Sequence, residues 1–368
     1  MTYRPSVLAL ISISAFAATS CGAQATGETS AEARSTQAPS TAAAVSTARD
    51  FSTKEHGTFD EAWAAAFVPG TEYLAITERG GKIKLRWPDG TIREVSGAPT
   101  VDYGGQGGLG DIAFLPSSGG GSTYPVYLSW AEAGEADTRG AVVGKGTLVC
   151  SAATTCAIEG LSVIWRQTPK VTGRGHYSHR LAVSPDGKYL FVASGERQKM
   201  QPAQDTSVTL GKIVRLNLDG TPAAGNPMAD KGGVTAEIWS YGHRNILGMD
   251  WDAQGRLWEV EHGPAGGDEL NLVKPAANYG WPIRSNGEHY NGDPIPDHAA
   301  DDGFAQPATS WNPVIAPGDM LIYTGDMFAA WKGHALMAGL ASQAIVDVAI
   351  EGEAAREVTR HEFDARLR

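Results

Sequence analysis

The stretch LAVSPDGKYLFVASGERQ, Leu181 to Gln198, decides the fold. An apolar run meets a Pro-Asp-Gly turn, and a second apolar run leads out to a glutamate. That order reads as a short hairpin. Turn residues supply backbone angles that strands avoid, while the flanking runs suit a pleated, buried surface. The layout recurs in AFVPGTEYLAITERGGKIKL from Ala66, IAFLPSSGGGSTYPVYLSWAE from Ile112 and MDWDAQGRLWEVEHGP from Met249, and more loosely in MLIYTGDMFAAWKGHALMAGL from Met320. A lone hairpin cannot bury both of its faces, whereas radially stacked hairpins can. Roughly 320 folded residues at roughly 50 per blade predict an all-β, six-bladed β-propeller; a β-sandwich is the alternative. The closing FDARLR (Phe363–Arg368) reads as a strand beginning, so the last blade is expected to be incomplete at its C-terminal end.

Composition agrees. The chain of 368 residues holds 45 Gly and 20 Pro with only 19% charged residues, which favours short strands and turns over long helices. Thirty basic against 41 acidic residues leave a net charge of −11. That argues against a nucleic-acid partner, which would require basic patches.

At the N-terminus, Arg4 precedes the apolar run VLALISISAFAA (Val7–Ala18), too short to span a membrane comfortably, and residues 1–20 read as a signal peptide. ATSC, ending at Cys21, matches a lipobox that would acylate Cys21; AQA (Ala23–Ala25) matches ordinary signal-peptidase cleavage. Either way the mature chain is expected in the periplasm or cell envelope, with a lipid anchor at Cys21 as its one membrane contact. Residues 21–48, rich in Ala, Ser and Thr, read as a flexible tether with a reach of roughly 25–30 Å. Residues 49–368 form the folded domain. Cys150 and Cys156 flank a small polar loop between two strand ends. A disulfide suits an oxidising compartment, with two free thiols as the alternative.

Four segments carry candidate chemistry. In GHYSHR (Gly175–Arg180), His176 lies in the loop before a repeat strand and suits a general base, since an imidazole titrates near neutrality. A metal pair with His179 is the alternative. In GHRNILG (Gly242–Gly248), Arg244 offers a fork of donors for a carboxylate or a developing oxyanion, and Asn245 offers an amide. In EHGPAGGDELN (Glu261–Asn271), the turn at Gly263 and Pro264 presents main-chain oxygens and Asp268 and Glu269 add carboxylates, a donor mix suited to Ca2+. In GGQGGLGDIAF (Gly104–Phe114), glycines allow close approach of a ligand and Gln106 is a side-chain donor.

Taken in order with NYGWP (Asn278–Pro282) and WNPVIAPGDMLIYTGDMF (Trp311–Phe328), these segments resemble the soluble PQQ-dependent aldose sugar dehydrogenases, the family of soluble quinoprotein glucose dehydrogenase. The resemblance covers nearly the whole mature chain. It implies a six-bladed propeller with PQQ over the channel, oxidising the C1 hydroxyl of an aldose to a lactone and passing electrons to an external acceptor. By resemblance, His176 is the base and Arg244 steadies the quinone oxygen. Gln106, Asn245, Arg366 and Arg368 hold the cofactor. The main-chain oxygens of Gly263 and Pro264 hold one Ca2+, and Glu269 with the Tyr279 carbonyl matches a second, structural site. Three positions depart from the best-known branch: Gly175 replaces an Asp that orients the base, Val314 replaces a Thr and Ala341 replaces a Lys. These departures support one of the other readings kept beside it, a sugar- or protein-binding propeller without catalysis; a Ca2+-dependent lactonase on a similar propeller is the other, and Arg244 together with Gln106 argues against it.

Overall fold

The computed structural model describes residues 51–116, 121–151 and 155–368. The predicted signal peptide, the tether and Cys21 lie outside them. The first sheet comprises β1 (Ala62–Phe67), β2 (Leu74–Glu78), β3 (Lys82–Arg86) and β4 (Ile92–Val95). The second comprises β5 (Leu109–Phe114), β6 (Thr123–Ala133), β7 (Arg139–Ser151) and β8 (Thr155–Arg166). The third holds β9 (Ser178–Val183), β10 (Tyr189–Ser194), β11 (Lys212–Asn217) and β12 (Ile238–Tyr241). In the fourth, β13 (Ile246–Trp251), β14 (Leu257–Glu261), β16 (Asp268–Leu272) and β18 (Thr309–Trp311) form the sheet, while β15 (Ala265–Gly266) and β17 (Gly287–Glu288) pair separately as a small ribbon. The fifth comprises β19 (Pro317–Ile322), β20 (Ala335–Gly339), β21 (Ala344–Glu351) and β22 (Ala354–Glu362). Every ladder in these sheets is antiparallel between chain neighbours. The described helices are four short 3-10 turns.

The stretch from Leu181 folds as read. Leu190 faces Val183 and Val192 faces Leu181 across β9 and β10, and Ser184 caps the turn by accepting the Tyr189 N–H at 3.0 Å. The period of two then explains the stacking. Leu190 and Val192 pack toward the second sheet, with Tyr127, Val143 and Trp165. Phe191 and Ala193 pack toward the fourth, with Met249 and Leu257. The third sheet therefore shares a core with both neighbours, as a propeller blade does, and shared cores likewise join the first sheet to the second and the fourth to the fifth. The innermost strands β1, β5, β9, β13 and β19 pack in sequence.

Two expectations are corrected. Among the described residues there are five four-stranded sheets, not six, and the last has all four strands rather than being incomplete. The count failed because connections are longer than a uniform repeat allows: residues 195–211 link β10 to β11, and residues 273–308 separate β16 from β18. The first and fifth sheets face each other across a cleft of about 500 Å³, with Trp63, Ala65 and Ile76 on one side and Leu321, Leu336 and Ile345 on the other. The sulfurs of Cys150 and Cys156 are bonded across the tip of the β7–β8 hairpin, where the two residues are direct cross-strand partners.

Candidate active site

The segments singled out in the sequence converge at one end of the sheets, in loops that lead into β5, β9 and β13 or follow β10 and β14. His176 and Arg244 line a cavity of about 520 Å³ together with Glu196, Gln198, Met200, Pro264, Trp281 and Tyr290. Gln106, Asn245, Arg366 and Arg368 line a second cavity of about 200 Å³, with Arg79 and His262. The adjacent residues Arg244 and Asn245 connect the two.

His176 is buried, and its backbone N–H donates to Gln106 Oε1 at 2.6 Å. Its Nδ1 is held by Glu196 Oε1. Glu196 also accepts the backbone N–H of Gln198 at 2.9 Å and of Met200 at 2.5 Å. Burial lowers the His176 pKa below the ordinary histidine value, against the opposing pull of Glu196, so the ring is neutral near pH 7. Burial alone would raise Glu196, but the hydrogen bonds from His176 and the Met200 N–H bring it below the usual carboxylate range. A neutral imidazole with Nδ1–H tied to a carboxylate leaves Nε2 as the free basic atom.

The backbone is strained to achieve this. His176, Ser178 and His179 have φ of 47°, 61° and 70°, and Arg197, Gln198 and Met200 have φ of 63°, 58° and 61°. Left-handed angles are uncommon in non-glycine residues and cluster at functional sites. Arg197 restrains them. It is fully buried, with its guanidinium 3.7 Å from the Tyr177 ring centre. It donates to the carbonyls of Gly175 at 2.8 Å, Arg139 at 2.8 Å and Gly173 at 2.5 Å. A Cβ on Gly175 would lie 2.3 Å from Gln198 Oε1. The amide of Gln198 thus fills the space a side chain at Gly175 would need, and Glu196 supplies the orienting carboxylate from the other loop. His179 lines the second cavity, whereas His176 lines the first. His179 is buried and stacked on Tyr177 at 5.1 Å, and burial pushes its pKa down to about 3.

Arg244 is fixed from both ends. Its backbone N–H donates to Glu261 Oε2 at 2.5 Å, Nη1 donates to the His262 carbonyl at 3.1 Å, and Nη2 donates to the Tyr290 hydroxyl at 3.1 Å. Its Nε is buried and has no partner among the described residues. Asn245 Oδ1 accepts the Ser178 N–H at 3.1 Å, and the Glu196 N–H donates to the Arg244 carbonyl at 3.0 Å. The loops of the third and fourth sheets are thereby locked together.

Beside Arg244, a cavity of about 10 Å³ is bounded by Glu261, Gly263, Gly267, Glu269, Tyr279 and Ser285, room for about one water-sized sphere. Among the described residues, no hydrogen bond is made to the main-chain oxygens of Gly263, Pro264 or Tyr279. Asp268 accepts from Gly263 N at 2.9 Å through one oxygen and from Ala316 N at 2.7 Å through the other, and so shapes the corner. Glu269 Oε1 lies 3.3 Å from the buried His298 Nε2. Behind them, His243 Nδ1 sits 3.2 Å from Glu261 and 3.5 Å from Glu259. Burial would lower the His243 pKa, but the two glutamates raise it to about 9, and the imidazolium offsets part of their charge.

The structure thus brings together His176, Arg244, Gln106, Asn245, Arg366, Arg368 and the Gly263–Pro264 corner. Sequence reasoning missed Glu196, Gln198 and Tyr290. Glu196 had a faint signal as the acid that closes the repeat strand in GERQ. Val314 and Ala341 remain apolar departures.

The profile of the glucose/sorbosone dehydrogenase family matches residues 59–368. The aldose sugar dehydrogenase YliI of Escherichia coli K12 is 35% identical over 304 residues, covering 81% of this chain and 80% of that protein. The apo crystal structure of the soluble E. coli aldose sugar dehydrogenase superposes with a TM-score of 0.76 at 34% identity, covering 82% of this chain and 86% of that one. The PQQ-bound form of aldose sugar dehydrogenase from Streptomyces coelicolor does so with a TM-score of 0.64 at 27% identity, covering 82% of this chain and 81% of that one.

Proposed function

Because the chain belongs to the glucose/sorbosone dehydrogenase family, we propose that it is a PQQ- and Ca2+-dependent dehydrogenase that oxidises the C1 hydroxyl of aldoses to lactones. The observation that carries this is His176, buried beside Arg244 in one cavity with its Nδ1 committed to Glu196. Nε2 is then the atom that takes the proton of the C1 hydroxyl. Bound PQQ would supply the two-electron acceptor for the C1 hydride, with Ca2+ polarising its quinone carbonyl. Arg244 lines the cavity with a guanidinium suited to a quinone oxygen or carboxylate. Gln106, Asn245, Arg366 and Arg368 gather polar and cationic groups suited to a polyanionic cofactor in an acidic protein. The Gly263 and Pro264 oxygens are free for the activating Ca2+. Glu269 and the Tyr279 oxygen border a one-ion cavity suited to the structural Ca2+. Val314 and Ala341 remove two polar contacts, so PQQ affinity is expected to be modest.

The run Val7–Ala18 and the ATSC motif support export and acylation at Cys21, and the Cys150–Cys156 bridge suits an oxidising compartment. An external acceptor would then receive the electrons.

The test is a titration of the EDTA-stripped protein with PQQ, with and without Ca2+, followed by aldoses and a dye acceptor. A Ca2+-dependent PQQ spectrum that sugar bleaches is the expected result. His176→Ala should keep PQQ while losing roughly 10³-fold or more in kcat. No PQQ binding at any Ca2+ concentration would defeat the proposal.

A further inference from the structure

Tyr290 poses a question that the proposed chemistry leaves open. It is 77% exposed, yet it lines the cavity that holds His176 and Arg244. Met200, on the opposite loop, lines the same cavity and is 43% exposed. Large apolar side chains left open at the rim of a pocket mark a recognition surface more often than a folding requirement.

The segment that carries Tyr290 is built to be rigid. β17 pairs with β15, Ala265 facing Glu288 and Gly266 facing Gly287, so it is strapped to the strand that immediately follows Pro264. The loop then closes on itself. The His289 N–H donates to the Asp293 carbonyl at 2.9 Å, the Gly292 N–H to the His289 carbonyl at 2.8 Å, and Asn291 Nδ2 to Asp293 Oδ2 at 2.8 Å. The Tyr290 hydroxyl accepts from Arg244 Nη2 at 3.1 Å. The ring is thus held at its base by a tight turn and at its tip by the Arg244 guanidinium, whose carbon lies 5.8 Å from the ring centre, while the residue as a whole stays exposed. Trp281 lines the same cavity and lies under Arg244, its ring centre 5.1 Å from the guanidinium carbon. Asn291 and Asp293 border the cavity beside Tyr290 with amide and carboxylate groups.

Resting on the function proposed above, we infer that Tyr290 is a specificity-determining residue. Its ring is the platform for the apolar face of an aldopyranose, and Asn291 and Asp293 receive hydroxyls remote from C1. A sugar ring presents one face of C–H bonds and a rim of hydroxyls. A fixed aromatic face flanked by an amide and a carboxylate complements both. The anchoring also places recognition next to the chemistry: Arg244 contacts Tyr290 directly, and the ribbon that carries Tyr290 begins at the Gly263–Pro264 corner. The ligand class is therefore an aldopyranose, whose C–H face and rim of hydroxyls a planar alcohol lacks.

The test uses the full chain loaded with PQQ and Ca2+, comparing wild type, Tyr290→Ala and Tyr290→Phe. PQQ affinity is read from its absorbance, and kcat and KM from a panel of aldoses beginning with glucose. Tyr290→Ala should raise KM about tenfold or more, one aromatic contact's worth, with PQQ affinity within twofold of wild type. Tyr290→Phe keeps the ring and should restore KM to within about threefold. An unchanged KM in Tyr290→Ala overturns the inference. So does a loss of PQQ affinity equal to the rise in KM, which would make Tyr290 a cofactor contact. So does a Tyr290→Phe as impaired as the alanine variant, which would assign the effect to the hydroxyl on Arg244. Absence of turnover in wild type would be a failure of the function proposed above, and the inference would then be read by calorimetry with glucose. Glucose binding in wild type that Tyr290→Ala abolishes supports it; no binding in wild type overturns it.

Discussion

The loops of the third sheet and those of the fourth both serve one cavity, but they are built on opposite principles. Around His176 the chain bends into left-handed angles at six non-glycine residues and is restrained by buried side chains, Arg197 and Glu196. Around Gly263 and Pro264, three of the four residues at 263–267 other than Pro264 are glycines, and carboxylates hold the main chain: Asp268 grips Gly263 and Ala316, and Glu261 grips Arg244 and Asn245. The first arrangement aims one side-chain atom. The second frees main-chain oxygens and fixes a guanidinium. A proton acceptor must have its ring orientation and pKa set together, which needs side chains on all sides. A hard cation needs oxygens at the right separation, which a pinned glycine turn provides at little steric cost.

The sharpest way to break this comparison is at Glu196. Glu196→Gln keeps the size of the side chain and removes the charge. Turnover should fall roughly 10- to 100-fold, with PQQ and Ca2+ binding retained. The pH profile separates a lost charge from a lost fold. Burial lowers the His176 pKa and Glu196 raises it, so removing the carboxylate lowers it further. Because the base must be neutral, activity is lost as pH falls through that pKa. The acid limb of kcat/KM in Glu196→Gln should therefore move to lower pH even as the plateau drops. An acid limb that stays put or moves up would mean that Glu196 does not set the protonation of His176.

At the fourth sheet the expected effect is smaller and falls on binding. An amide at position 268 can accept only one of the two backbone N–H groups that Asp268 now satisfies. Asp268→Asn should weaken Ca2+ binding roughly 10-fold, a typical cost for losing a residue that positions a ligand, with kcat at saturating Ca2+ within a few-fold of wild type. Burial raises the Asp268 pKa to about 6. Wild type should hence weaken in the same direction as pH falls through 6, and the variant should lack that step. Calorimetric Ca2+ titrations at pH 5.5 and 7.5 would decide it. Equal pH dependence in both proteins would remove Asp268 from the account.

The contrast also separates what could be read from sequence. His176, Arg244, Asn245, Gln106 and the Gly-Pro corner stand in short segments whose residue types state their chemistry locally, and the repeated hairpin announced the all-β propeller. Glu196 and Tyr290 carry no such label. Glu196 lies 20 residues from His176, and Tyr290 is 46 residues from Arg244; only the packing of separate loops gives either a role. The sheet count failed for a related reason. Length was divided by a uniform repeat, whereas the 273–308 connection, which contains Tyr290, lengthens the fourth sheet's share of the chain.

The smallest expected effect tests how the two loops of the third sheet share space. Gly175 stands where the resemblance implies an Asp, and its missing side chain is explained by Gln198, whose amide would meet a Cβ at 2.3 Å. Gln198 is the far end of a flexible side chain, so Gly175→Ala need not unfold the loop; the amide can swing away. Gln198 also lines the cavity. Its displacement should therefore appear as a few-fold rise in KM with kcat nearly unchanged, because His176 stays held by Glu196 and Gln106. Gly175→Ala combined with Gln198→Ala should cost no more than Gln198→Ala alone, since both act through the same displaced amide. Additive losses from the two changes would show that Gly175 matters for its backbone rather than for the room it leaves to Gln198.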